Sequence, residues 1–286
     1  MIKNYLELDQ TELTAFLDFI NRNEAQKTTL EQFCKNYVNE EFDFGKSIFI
    51  MLYGGTIIAK SLLLYSAFNK TAYILRTDVI ENHSDPKMTI DALVTFGITA
   101  AEAQGALNIY IGVREERIKT IFDELNYNRS YQSLVMTLSD RSLKLKPLQL
   151  IKLEQNNKLD YVNIHNEAFA EVPNGGLISV KEVDEYLQGT FPGRYCFLVQ
   201  AEKQNIGMLE IEMEDSEDTL AIGLKRDWQS KGYGKRLIET AIDLLNQKEA
   251  PEICLILISK NKRAYEMYLK RGFVIKKVLT DWYVLG

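Results

Sequence analysis

The chain has 286 residues, 46% hydrophobic and 26% charged, with 16 Gly and 5 Pro, a globular composition that excludes disorder and low-complexity architecture. Its length suits two domains at roughly 100–200 residues each. The formal net charge of −6 is shared evenly, with 16 Lys and Arg against 19 Asp and Glu in residues 1–146 and 18 against 21 in residues 147–286, which removes the electrostatic case for nucleic acid or an anionic membrane.

Three cysteines (Cys34, Cys196, Cys254) and two histidines (His83, His165) are too few and too scattered for a disulfide framework or a zinc centre. No metal site is expected, and a reducing, cytoplasmic location is. The N-terminal Met1–Tyr5 runs into Glu7, Asp9 and Glu12, so no signal peptide is expected there.

Taken in chain order, apolar positions Leu13, Phe16, Leu17 and Ile20 predict a helix over 11–23. Strands follow at Ser47–Tyr53, Thr56–Tyr65 and Ala72–Val79. Between Ser47 and Phe68 the only charge is Lys60, but Gly54 and Gly55 divide the stretch into a β-hairpin rather than a membrane span. A helix over 87–104, a strand at Leu107–Val113, a helix over 115–125 and a strand at Tyr131–Leu138 complete the first half. Polar, basic residues 139–146 and Pro147 place a boundary between domains 1–146 and 147–286.

The second half repeats the order. A strand at Gln149–Leu153 and a helix over 158–170 lead to a looser stretch with Pro173, Gly175 and Gly176. Strands at Arg194–Ala201, Asn205–Met213 and Thr219–Leu224 come next, then a helix over 233–247, a strand at Ile253–Ile258, a helix over 261–271, and a strand at Phe273–Lys277 with a strand-like tail. A fixed offset of 146 takes Ile253 to Leu107, Thr219 to Tyr73 and Tyr268 to Phe122. Two diverged copies of one α/β unit account for that register, each expected as a mixed, mostly antiparallel sheet flanked by helices.

The sharpest motif is Gln229-Ser230-Lys231-Gly232-Tyr233-Gly234-Lys235, after a strand and opening a helix. Helix N-terminal amides are unpaired and sit at the positive end of the dipole, and glycines let phosphate oxygens approach. Leu237 in place of a third glycine excludes the dinucleotide fingerprint, and Arg236 after Lys235 excludes a Walker loop. An ordinary glycine-rich turn before an amphipathic helix is the competing reading. The second motif runs from Asn261 through Ala264 and Tyr268 to Gly272-Phe273. Taken singly, Asn261 reads as a helix N-cap, Tyr268 as a core aromatic and Gly272 as a C-cap.

Together, Q-x-x-G-x-G and N-x-x-A-x-x-x-Y-x-x-x-G-F resemble the GNAT superfamily of acetyl-CoA-dependent N-acetyltransferases, closely over residues 219–273 and by strand order over 147–286. The resemblance implies two tandem GNAT-like domains. It implies that Ile222, Gly223 and Leu224 offer backbone groups to the pantetheine arm, where the fourth strand splays from the fifth. The backbone amides of Ser230, Lys231, Gly232, Tyr233, Gly234 and Lys235 would hold the pyrophosphate, Gln229 and Asn261 would also belong to the cofactor site, and Tyr268 would protonate the departing thiolate. The implied reaction is direct acetyl transfer from acetyl-CoA to a primary amine of a small molecule or peptide in a ternary complex, without metal.

A base must first deprotonate the amine. Relatives often carry Glu early in the fourth strand, and here Glu217, Asp218, Glu210 and Glu212 are the candidates; residues 214–218 read most simply as a solvated hairpin turn, and His165 reads as a helix residue. The acceptor is expected near residues 171–177. At the same offset the first half has Asp85 and Pro86 under the glycine motif, Glu115 for Asn261 and Phe122 for Tyr268, so it reads as a copy without a cofactor site. A non-catalytic acyl-CoA-binding or scaffold protein is the alternative.

Overall fold

The computed structural model describes residues 1–23, 25–81, 83–213 and 219–286. Its chain divides into two compact units, one formed by Met1–Tyr131 with Thr280–Gly286, the other by Gln132–Leu279. The units therefore depart from the contiguous division at 146/147. Two strands explain the difference, because each starts in one unit and ends in the other.

Unit 1 contains β1 (Ile2–Asn4), α1 (Gln10–Asn21), α2 (Leu30–Tyr37), β2 (Ile48–Tyr53), β3 (Thr56–Ser66), β4 (Thr71–Val79), α3 (Pro86–Ala103), β5 (Asn108–Val113) and α4 (Glu116–Glu124). Then β6 (Asn128–Thr137) carries the chain across. Unit 2 contains β7 (Gln149–Lys152), α5 (Lys158–Phe169), α6 (Val180–Leu187), β8 (Arg194–Ala201), β9 (Gln204–Glu212), β10 (Thr219–Leu224), α7 (Tyr233–Gln247), β11 (Cys254–Ile258) and α8 (Lys262–Arg271). Finally β12 (Val274–Val284) returns to unit 1.

Within unit 1, β1 to β4 pair antiparallel in sequence order, and β4 lies parallel to β5. The other side of β5 is closed antiparallel by the end of the chain, Asp281↔Val113 to Val284↔Tyr110. Within unit 2, β7 to β10 pair antiparallel and β10 starts parallel to β11. The other side of β11 is closed by the last strand of the first half, from Cys254↔Thr137 to Ile258↔Ser133. The strand expected from Phe273 and its tail thus form one long strand that starts at Val274, and the first half's β6 completes the second unit's sheet.

Strand alternation assigns the faces. On β9, Leu209 and Ile211 pack with α7 residues Leu237, Ile238, Ala241, Ile242 and Leu245. Met208 faces the other way, with Cys196 and Leu198 of β8, against Tyr161, Ile164 and Val183 of α5 and α6. Each buried Leu or Ile contributes roughly 1.5–3 kcal/mol. Unit 1 repeats the two-faced packing, with Leu93, Val94 and Phe122 on one side of its sheet and Phe16, Phe19 and Phe33 on the other. Two short helices, α2 and α6, were not predicted; each opens with a capping box, Thr29 with Gln32 and Ser179 with Glu182.

Candidate functional site

In unit 2, β10 follows β9 along its whole length but touches β11 only at Thr219↔Cys254 and Leu220↔Leu255. Beyond Leu220 the two parallel strands part, leaving one backbone edge of Ile222, Gly223 and Leu224 free of β11. Gly223 is required here, because a Cβ would lie 2.6 Å from that of Ala168 on α5. A cavity of about 780 Å³ opens in this splay.

The chain then turns through Gln229–Gly232 into α7. Gln229 pins the turn, donating Nε2 to the Leu224 carbonyl at 3.0 Å and accepting from Arg263 Nη1 at 3.4 Å. Ser230 and Gly232 take left-handed backbone, with φ of 63° and 88°. No side chain caps α7 at Gly232, and its first turn holds no acidic residue. That turn holds Lys235 and Arg236 instead, cations at the positive end of a dipole that disfavours them by about 0.3–1 kcal/mol each. Arg236 is occupied by the carbonyls of Lys146 and Pro147. The uncapped amides and Lys235 are left for an anion. A Cβ on Gly232 would meet nothing within 4 Å, so the backbone is open on that side, whereas one on Gly234 would lie 3.1 Å from Met267 Sδ.

The structure brings most of the expected site residues to the cavity wall: Ile222, Gly223, Leu224, Gln229, Ser230, Gly232, Gly234, Lys235, Asn261, Tyr268 and Glu210. Lys231 and Tyr233 are not among its lining residues. Tyr233 donates its hydroxyl to Glu202 at 2.6 Å, and Lys231 Nζ lies 5.9 Å from the Trp228 ring, so both side chains are engaged elsewhere, while the expectation at these two residues concerned their backbone amides. Asn261 is the N-cap of α8, accepting from the Ala264 amide at 3.1 Å, and also faces the cavity. The N-cap reading of Asn261 holds, and its place at the cavity is compatible with the expected cofactor contact.

Tyr268 is 7% exposed, its ring set edge-on against Phe273 at 5.4 Å. Burial pushes its phenol well above the ordinary tyrosine value, so it stays protonated. Among the described residues its hydroxyl has no hydrogen-bond partner.

Glu217 and Asp218 lie outside the described residues. Glu210 faces α5 and accepts from Tyr161 Oη at 2.9 Å; Arg194 Nε lies 3.5 Å from its other oxygen. Arg194 also donates to Glu212 at 2.9 Å and is sandwiched against the rings of Tyr186 and Phe191. Burial, then the Glu210 charge, holds the Tyr161 phenol protonated and pushes the Cys196 thiol up to about 12. His165 sits behind this group with its ring 4.8 Å from Phe169, and burial lowers its pKa, keeping the imidazole neutral at neutral pH.

Of the loop expected to meet the acceptor, Val172, Pro173, Asn174 and Gly175 line the cavity, with Phe169 at the end of α5. Sequence reasoning missed Arg263, Met267 and Lys270 on α8, whose positions follow from helix spacing, and Ser133. Ser133 belongs to β6 and reaches the cavity only because that strand pairs with β11. In unit 1 the helix at the matching offset, α3, begins with Pro86 and is capped by Asp85 on the Met88 amide at 2.9 Å. Among the described residues no His, Cys, Asp and Glu cluster has metal-binding geometry, and no helix is long and apolar enough to cross a membrane.

Residues 161–273 match the model of the Acetyltransferase (GNAT) family. Among solved structures, the chain is similar to a tandem GNAT protein from the clavulanic acid biosynthesis pathway, with a TM-score of 0.63 at 11% identity over 100% of this chain and 98% of that one. It is also similar to a GCN5-related N-acetyltransferase from Sphaerobacter thermophilus, with a TM-score of 0.59 at 12% identity over 95% and 91% of the two chains. A GNAT-family acetyltransferase from Colwellia psychrerythraea gives 0.56 at 10% identity over 100% of both. Such identities show the fold alone. No curated protein matches the sequence.

Proposed function

For a chain that carries a GNAT-family domain at 161–273 on a tandem GNAT fold, we propose that it is an N-acetyltransferase whose active site is the unit 2 cavity. The reading is acetyl transfer from acetyl-CoA to a primary amine of a small molecule or peptide by direct attack. One observation carries it: the unpaired edge of β10, the uncapped N-terminus of α7 and the protonated Tyr268 hydroxyl converge on one cavity.

The residues present fit the cofactor. The amides after Ser230, with Lys235, would hold the pyrophosphate, and the open backbone at Gly232 admits close approach. The freed groups of Ile222–Leu224 would hold the pantetheine arm. When bound, acetyl-CoA supplies an acetyl group activated as a thioester. The remaining work belongs to the chain. Backbone N–H groups on the β10 edge stabilise charge that develops on an oxygen in the cavity. Tyr268 gives its proton to a leaving thiolate as the carbon–sulfur bond breaks. The amine nitrogen bonds to the acyl carbon and sheds a proton to a carboxylate. Of the expected bases, Glu210 and Glu212 reach the cavity. Glu210 acts through an intervening water, since Tyr161 and Arg194 already engage its oxygens. Asp85 at the head of α3 leaves unit 1 without an equivalent anion cradle.

The test is calorimetric titration of acetyl-CoA into the full chain and into Gly232→Pro, which the φ of 88° forbids to keep its backbone. Saturable binding lost in the variant, with amine-dependent thiol release in the parent, is expected. No binding to the folded parent would overturn the reading. Binding without thiol release across an amine panel would leave an acyl-CoA-binding protein.

A further inference from the structure

Unit 1 keeps the splay but changes its walls. The pairs between β4 and β5 stop at Ile74↔Ile111, so residues 75–79 of β4 have no strand partner on that side among the described residues. At the offset of 146, Ile222, Gly223 and Leu224 become Arg76, Thr77 and Asp78. An apolar wall is replaced by charge.

Part of that charge is internally paired. Arg22, following α1, and Lys60 on β3 both pair with Asp78, the latter at 3.7 Å. Arg117 on α4 donates to the Val79 carbonyl at 2.7 Å and meets Glu115 at 3.7 Å. Arg76 and Arg114 stand apart. Both are exposed, and neither has an ion pair among the described residues. Arg76 lies over the Tyr37 ring at 5.2 Å, and Arg114 donates Nε to Thr280 Oγ1 at 3.2 Å. Partial desolvation of its inner atoms, then the Arg76 charge, lowers the Arg114 pKa. With Glu81 included, five cations face three carboxylates.

Two further observations point to a ligand. Among the described residues, Arg22 Nε, Arg117 Nη1 and the Thr77 hydroxyl are buried atoms without a hydrogen-bond partner, and buried donors rarely go unmet. Arg76 also takes left-handed backbone with φ of 50° at the irregularity in the β3–β4 ladder, turning its carbonyl to Lys60 Nζ at 3.2 Å. Such strain persists where surrounding structure holds it, often at ligand sites.

We propose that this notch in unit 1 is an anion site for a phosphoryl group, with Arg76 and Arg114 as its guanidinium forks and Thr77 and Arg117 as further donors. A carboxylate is satisfied by one fork. A phosphoryl group offers three terminal oxygens to donors that arrive here from β4, from the turn after β5 and from α4. The site is separate from the unit 2 cavity and does not depend on the acetyltransferase reading.

The experiment is calorimetric titration of inorganic phosphate, at low ionic strength, into the full chain and into Arg76→Gln, Arg114→Gln, Arg76→Lys and Lys235→Gln. Saturable binding is expected in the parent. It should weaken at least tenfold, about 1.4 kcal/mol, in both Gln variants, weaken measurably in Arg76→Lys, and persist in Lys235→Gln, which reports on α7. Unchanged urea midpoints establish that these exposed substitutions leave the fold intact. No saturable binding, or loss in Lys235→Gln alone, overturns the site. Acetate binding as tightly as phosphate overturns the phosphoryl assignment.

Discussion

Tyr268 and Lys60 show how burial gives one residue a chemical bias. Tyr268 reaches the cavity as a neutral phenol, and in the proposed reaction it would donate a proton without binding the cofactor's anionic part. Tyr268→Phe is therefore expected to lower kcat by roughly 10²-fold or more, the range of a lost general acid, with the acetyl-CoA Kd within about twofold of the parent. Steady-state kinetics beside a binding titration separate the two, and an equal loss in both would remove the donor role. Lys60 is biased the other way. It is 8% exposed, and burial brings its pKa down from 10.5 to about 8 despite Asp78. The unfolded chain then holds more protons between those values, so stability rises with pH from about 8 to about 10.5 and the burial cost is fully present below 8. That difference is on the order of 3 kcal/mol. Urea unfolding at pH 7.5 and pH 10 is expected to show this rise in the parent and a smaller one in Lys60→Met.

Among elements, a buried ion pair adds to the apolar packing between α7 and α8. Glu239 is 1% exposed and accepts from Arg271 Nε at 2.6 Å and from the Lys144 amide at 3.0 Å. Glu239→Ala leaves the Arg271 charge unpaired inside the protein, and a loss of about 3–5 kcal/mol in urea unfolding is expected; a loss under 1 kcal/mol would show that the pair is solvated. Helices such as α7 were legible in the sequence because Leu237, Ile238, Ala241, Ile242 and Leu245 fall on one stripe. The glycine turn and Tyr268 were legible because their spacing survives without its surroundings. The short helices α2 and α6 escaped a periodicity reading, since eight residues hold barely two turns, although their capping boxes stand in the sequence. Ser133 was illegible at the site for a different reason: alternation announces a strand but never names its neighbour.

At the scale of the whole molecule, that neighbour relation is the main departure from a reading of two beads on a string. Cutting before Pro147 strips β11 of its partner β6 and strips β5 of residues 281–284. Fragments 1–146 and 147–286 are each expected to lack a cooperative urea transition and to regain one when refolded together. Independent, reversible unfolding of either fragment would show that the exchanged strands add little. Each open edge would also present unpaired amides and carbonyls, a template for aggregation.

The pairing of Asp281 with Val113 also has a temporal side. A chain made from its N-terminus has all of β1 to β5 long before β12 exists, so the first unit waits with one sheet edge unfilled until residues 281–284 are made. Contacts so distant in sequence slow folding, because loop-closure entropy precedes any gain. A protein built this way completes its first unit only once the second has been made, and its newborn first half is the stage at which a chaperone has most to protect.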